Sequence, residues 1–299
     1  MNTEKSQVLL GWLAAWFLVL STAVWQIATR LGAAHTLTPV DLNLLRYCVP
    51  ALILLPVLWR TGLMPKELSK TRLAVLVGGA GLPFGLLAVG GAKLAPVAHM
   101  AAMLAGIGPI TVMLAAWWWF GERPAGQKWL GAGLIVVGVG LVTQVFAMQT
   151  SATGLQTLWG DALFLAASCV WAAYTIALRG TTLSALQLCA LVSGWSAMGA
   201  ALLWLLMPGT RLLTAPLGDV MLQVLVQGVV AGVLGITAYG FAVKILGTQT
   251  PSTLGAFVPV VSAGGAALLL GEALSGFALL GVCIVTLGVL AMQFKHKTS

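Results

Sequence analysis

Apolar residues fall into ten long runs, at 8–29, 40–59, 73–92, 97–120, 129–148, 157–178, 186–207, 219–243, 250–271 and 276–294. Each is close to the ~20 residues an α-helix needs to cross the hydrocarbon core of a bilayer. The connections are mostly under about a dozen residues, which leaves no room for a separate water-soluble domain. The pattern predicts an all-α membrane protein with ten transmembrane helices.

The chain repeats itself. Laid without gaps on the stretch 150 positions later, Pro109–Val139 matches at nine of 31 positions. The identities include Pro109/Pro259, Gly121-Glu122/Gly271-Glu272, Gly126/Gly276, Leu130-Gly131/Leu280-Gly281 and Gly138-Val139/Gly288-Val289. Each copy reads as an apolar helix, a tight Gly-Glu turn and a second apolar helix. Recurrence of this kind divides the chain into two structural halves, 8–148 and 157–294. Five helices per half is an odd number, so the halves enter the membrane with opposite orientation. Inverted repeats of this sort place a substrate site near the midplane between them.

Composition sharpens this reading. Apolar residues make up 60% of the chain and charged residues 7%, against about 25% charged in soluble domains. The net charge of +8 does not point to nucleic acid, because the basic residues punctuate helix ends instead of forming one patch. Placing both termini in the cytoplasm collects Lys5, Arg60, Lys66, Lys70, Arg72, Arg123, Lys128, Arg179, Lys244, Lys295 and Lys297 inside. Arg30, Lys93 and Arg211 are left outside, a strong positive-inside bias. Tryptophans near the predicted ends suit the interfacial belt. The four cysteines, Cys48, Cys169, Cys189 and Cys283, all lie in apolar runs without metal-ligand spacing and read as structural thiols. No cofactor or metal is called for, and the first apolar run is read as a span, not a cleaved signal.

Polar groups inside the runs are the functional candidates. Arg46 stands about 9 Å below the outer edge of the second helix, six residues in at 1.5 Å each. The matching region of the seventh helix, around Val192, has no arginine. Two readings stand: Arg46 faces a cavity and attracts a substrate carboxylate, or it pairs with Asp161 or with backbone carbonyls. Ser21, Thr22 and Trp25 lie in the first helix, with Ser168, Trp171 and Tyr174 at the corresponding place in the sixth; Trp25 aligns with Trp171, and the two tryptophans could sandwich a planar substrate or simply pack the helices. Gln223 and Gln227 share a face of the eighth helix and need partners, either on neighbouring helices or on a ligand. His99 and Met103 stand early in the fourth helix, with His99 read as an interfacial residue or a proton relay. Pro109 and Pro259 break helices mid-span and are candidate hinges. Glu122 and Glu272 read as carboxylates that satisfy N–H groups at the following helix. Gly81/Gly85 and Gly228/Gly232 read as close-packing pairs, as do Gly131/Gly138 and Gly281/Gly288.

These residues also carry a resemblance. GDALFLAASCVWAAYTIALRG opens the second half, the P…LxxxxxxGE pattern surrounds Pro109 and Glu122, and LRYCVPALILLP forms the second helix. With the closing GxxLIVVGVGL-type helix they resemble the drug/metabolite transporter superfamily, specifically its EamA-type ten-helix exporters, over residues 8–294. The resemblance implies an inner-membrane exporter of small metabolites with a cavity between the halves, and an arginine is common at the place of Arg46. Members handle amino acids, other metabolites or amphipathic drugs. Unlike the four-helix multidrug pumps of the superfamily, this chain has no glutamate in its first helix, and no carboxylate sits at mid-depth.

The reading is therefore a secondary transporter of small amphipathic metabolites, amino acids first among them, acting as a monomer in the bilayer. An intramembrane enzyme lacks support: His35, His99 and His296 lie near helix ends, and there is no HExxH or GxSxG. A channel would show pore loops or rings of one charge, which are missing.

Overall fold

The computed structural model describes residues 2–144, 152–247 and 249–293. It is all-helical. Nine helices are long and apolar enough to span a membrane among the described residues, and a tenth span is formed by a bent pair. In chain order these are α1 (Ser6–Thr36), α2 (Pro39–Ile53 with Leu55–Thr61, bent by 73°), α3 (Lys70–Leu94), α4 (Val97–Phe120) and α5 (Gly126–Thr143). The second half repeats the set as α6 (Gly154–Leu178), α7 (Ala185–Leu206), α8 (Leu217–Leu246), α9 (Thr250–Leu270) and α10 (Gly276–Gln293). The ten expected runs are thus present, with α1, α3 and α8 the most extended beyond their expected bounds. The last residues expected in the fifth and tenth runs lie outside the described residues, as do His296, Lys295 and Lys297. We call the end of the bundle where α1 begins the amino face and the other the opposite face.

The glycine stripes explain how the halves close on each other. α5 and α10 pack antiparallel with glycines interlocked. A Cβ built on Gly138 would lie 2.7 Å from the Gly281 carbonyl, and one on Gly281 would lie 2.5 Å from that of Gly138. Gly131 and Gly288 face each other in the same way. The backbones approach at a distance that no side chain permits. Around this seam Ile135, Val139, Val282 and Val285 join Met113 of α4 and Ala263 of α9 in one buried cluster. Gly228 and Gly232 of α8 similarly receive Val49 and Pro50 of α2.

Several spans are interrupted. Pro109 opens the last helical piece of α4 after a π-helical stretch at Ala102–Ile107, and Pro259 does so in α9 after a turn at 256–257. Both prolines sit where a helix's first turn needs no N–H from them. α8 carries a longer π stretch, Val224–Leu234, and α3 breaks at Gly81, two residues before Pro83.

The Gly-Glu turns end α4 and α9 with Gly121 and Gly271 in the left-handed region, each at φ 68°. Their carboxylates do not cap the next helix, as expected from the sequence, but reach across the repeat. Glu272 accepts from Arg30 Nε of α1 at 3.0 Å and from the Val97 N–H that begins α4 at 2.9 Å. Glu122 accepts from Arg179, just after α6, at 2.5 Å. Each half's turn therefore takes an arginine at the end of the other half's first helix. The pair at the opposite face is largely sheltered, and that at the amino face is open to solvent.

Two outcomes follow. Gly138→Val should lower stability in detergent by about 1–3 kcal/mol, the cost of overpacking, whereas Gly133→Ala, with open space at its Cβ, should be neutral or slightly stabilising; thermal unfolding of both decides. The hydrogen bond from Arg179 holds the Glu122 carboxyl below its ordinary range. A depressed carboxyl stabilises the fold above its unfolded pKa and loses that contribution as pH falls through the folded value. Glu122→Gln should therefore be slightly less stable than the parent at neutral pH, and the two unfolding curves should converge in acid.

Candidate functional site

The register of the site is set by two matching helix starts. Thr38 caps α2 by accepting from the Asp41 N–H while Asp41 accepts from the Thr38 N–H. Ser184 and Gln187 make the same reciprocal box at the start of α7. Thr38 and Ser184 are 146 positions apart, and this offset carries Trp25 to Trp171 and Arg46 to Val192. The arginine is thus a true departure from the repeat. Asp41, fully buried, is saturated by its box, by the Trp204 indole N–H at 3.0 Å and by the Arg211 N–H at 2.9 Å.

Arg46 stands at the junction of α1, α2 and α8. Its guanidinium carbon lies 4.4 Å from the centroid of the Trp25 ring, a cation–π contact. Nη1 donates to Gln227 Oε1 at 3.4 Å. Nε is buried and has no hydrogen-bond partner, and among the described residues no carboxylate lies within ion-pairing distance of the side chain. Arg46 does not pair with Asp161, the alternative its depth suggested: that carboxylate is taken by His99, with Nδ1 2.9 Å from Oδ1.

Gln227 and Gln223 find their partners across helices and on each other. Gln227 Oε1 also accepts from Trp25 Nε1 at 2.8 Å, while its amide nitrogen donates to Thr29 Oγ1 and Gln223 Oε1. Gln223 donates to the Ala28 carbonyl. With both amide hydrogens engaged, the Gln227 carbonyl is fixed toward the indole and the guanidinium. Gln227 positions Arg46 and Trp25.

From Trp25 a chain of rings crosses the repeat boundary. Trp25 stacks on Phe84 of α3 at 6.4 Å, Phe84 meets Trp171 of α6 at 5.3 Å, and Trp171 meets Tyr174 at 5.1 Å. The two symmetry-related tryptophans are therefore bridged by Phe84, where the sequence suggested a ligand between them. Trp25 is buried and Trp171 is 40% exposed. Phe84 was not singled out from sequence; the Gly81–Pro83 break just before it was the available signal.

Other candidates are occupied by backbone. The Ser21 and Thr22 hydroxyls donate back to the Leu18 carbonyl within α1. Ser168 donates to the Met103 carbonyl in the π stretch of α4, and Thr111 donates to the Ser168 carbonyl. Ser168 and Met103 are brought together, but through the main chain, and the Met103 side chain packs against the apolar clusters. His99 lies away from the Arg46 network, paired with Asp161. A shallow cleft on α9 and α10, lined by Val260, Ala263, Leu274 and Val282 among others, is apolar and shares no residue with that network.

The model of the EamA-like transporter family matches residues 9–144 and again 158–294. A crystal structure with 21% sequence identity superimposes with a TM-score of 0.60 over 96% of both chains, a likeness of fold. No curated protein matches the sequence. The paired match, one copy to each five-helix half, shows that the chain belongs to the EamA-like transporter family, within the drug/metabolite transporter superfamily.

Proposed function

We propose that the chain is a secondary transporter of the cell inner membrane that exports small amphipathic metabolites by alternating access. Amino acids with apolar or aromatic side chains are the substrates the site suits best. The observation that carries this reading is Arg46: a guanidinium held by Trp25 and Gln227, with a buried Nε that no protein group satisfies. A cation in a span is costly unless it is paired or put to use. A substrate carboxylate supplies both charge and acceptor, and guanidinium geometry suits it.

The ring chain from Trp25 to Tyr174 offers an apolar wall for the substrate's side chain. A cationic drug would meet the repulsion of Arg46 and find no mid-depth carboxylate, which favours the metabolite reading over drug efflux. The interruptions beside Pro109 and Pro259 occupy equivalent places in opposite halves and serve as the hinges about which the halves rock. The basic loop at 60–72 and both termini face the cytoplasm, which puts Arg60, Lys66, Lys70, Arg123, Lys128, Arg179 and Lys244 at the amino face. One chain supplies both halves of the site, so the monomer suffices.

Counterflow into proteoliposomes preloaded with phenylalanine tests the reading. Labelled phenylalanine should accumulate transiently and saturably. Arg46→Ala should lower kcat/KM by about 10- to 100-fold, the loss of 1.5–3 kcal/mol from a hydrogen bond to a charged group. Arg46→Lys should recover only part of this, because a point charge replaces a planar fork. Parental rates in both variants reject Arg46 as a substrate ligand.

A further inference from the structure

The His99–Asp161 pair has no part in the site described above. His99 is near the start of α4 in the first half and Asp161 is near the start of α6 in the second, so the pair ties the halves together toward the opposite face. Nδ1 stands 2.9 Å from Oδ1 and 3.2 Å from Oδ2, and each side chain is only 6% exposed. Compare the other partnered carboxylates. Asp41 takes amides, a hydroxyl and an indole, while Glu122 and Glu272 take arginines that stay charged. Among the described residues, Asp161 is the one carboxylate paired with a histidine, a side chain that ordinarily titrates between about pH 5 and 8.

The charges around the pair are few. Arg30 of α1 donates to the Ala92 and Lys93 carbonyls at the end of α3 and closes its ion pair with Glu272 of the α9–α10 turn, whose other oxygen takes the Val97 N–H. Lys93 itself is exposed. The described residues of α5 and α10 bring no charged side chain to this end. Among the described residues no second cation pairs with Asp161.

We propose that His99 and Asp161 form a proton-binding site that ties closure of the opposite face to the pH of the compartment on that side. With a proton on the imidazole the pair is neutral overall. Without it, a net negative charge is held in a low-dielectric joint, which is costly unless the joint opens to water. Separation of the halves at this face would hydrate both groups and remove that cost. By linkage, protons favour the closed face, and the closed face favours the proton. In an alternating-access carrier, the reading on which this physiological use rests, external acid would then drive the face shut after substrate has left.

The test needs no substrate, so it stands apart from the phenylalanine experiment. The full chain in nanodiscs is labelled with ¹³C-histidine, and the His99 signal, one of three, is assigned by its loss in His99→Gln. Its chemical shift should change with pH in the parent, and Asp161→Asn should alter that change, because the partner of the imidazole is gone. In parallel, hydrogen exchange at the start of α4, corrected for chemical rate, should slow on acidification by up to about tenfold per pH unit for one linked proton. His99→Gln and Asp161→Asn should each abolish that pH response, and Glu272→Gln should keep it. A His99 signal that does not change over pH 5–8 overturns the proposal, as does protection of α4 that ignores pH in the parent. So does a pH response that survives in both pair variants, which would leave the pair a structural clasp.

Discussion

In hydrocarbon, a backbone group released from a helix must find its partner within the protein. That constraint shapes the whole molecule. α3 can break at Gly81 because Tyr47 of α2 donates to the Gly81 and Ala80 carbonyls and Ser196 of α7 accepts the Leu82 N–H. α4 can open into a π stretch because Ser168 of α6 donates to the Met103 carbonyl. In the π stretch of α8 the Gly232 carbonyl takes the Cys189 thiol of α7 at 3.3 Å. Each of these contacts has a partner in a different helix, and those of Ser196 and Ser168 cross between the halves. The interruptions are thus paid in side-chain hydrogen bonds that also hold the halves in register.

The two-fold repeat divides the labour. Where its copies agree, as in the interlocked glycines of α5 and α10 and the left-handed turns at Gly121 and Gly271, the residues pack or turn the chain. The Gly-Glu turns add one further role, because each carboxylate crosses to the opposite half. Where the copies disagree, the polar groups are concentrated. Arg46 faces Val192 in the alignment fixed by the capping boxes, and α8 supplies the two glutamines that hold it. A strictly symmetric scaffold would present identical surfaces to substrate from both sides. The proposed substrate, with one carboxylate and one apolar end, would require the asymmetry.

The spans and the repeat were legible in the sequence because bilayer thickness imposes length and glycine spacing marks close approach. Partnerships were not. Trp25 and Gln227 are 202 positions apart, Arg30 and Glu272 are 242 apart, and His99 and Asp161 are 62 apart. Pattern along one helix carries no information about which neighbour it meets. Asp161 shows this most clearly: depth alone made it a candidate for Arg46, yet the packing of α6 on α4 delivers it to His99. Ser21 and Thr22 erred in the other direction, since their hydroxyls return to their own helix, a local option always open to such residues.

Charge accounting separates the two polar centres. Glu272 meets Arg30, and Asp41 is enclosed by donors, so neither has capacity to spare. Arg46 is the reverse case, a cation with an indole face, one amide oxygen and an unsatisfied Nε. The Gln227 amide matters here because a carboxylate in its place would neutralise the guanidinium internally. An amide oxygen instead orients Arg46 and leaves its charge uncancelled, while Thr29 and Gln223 prevent the amide from flipping. The guanidinium is therefore held without a compensating charge, which is what the proposed binding and release of a substrate carboxylate would require.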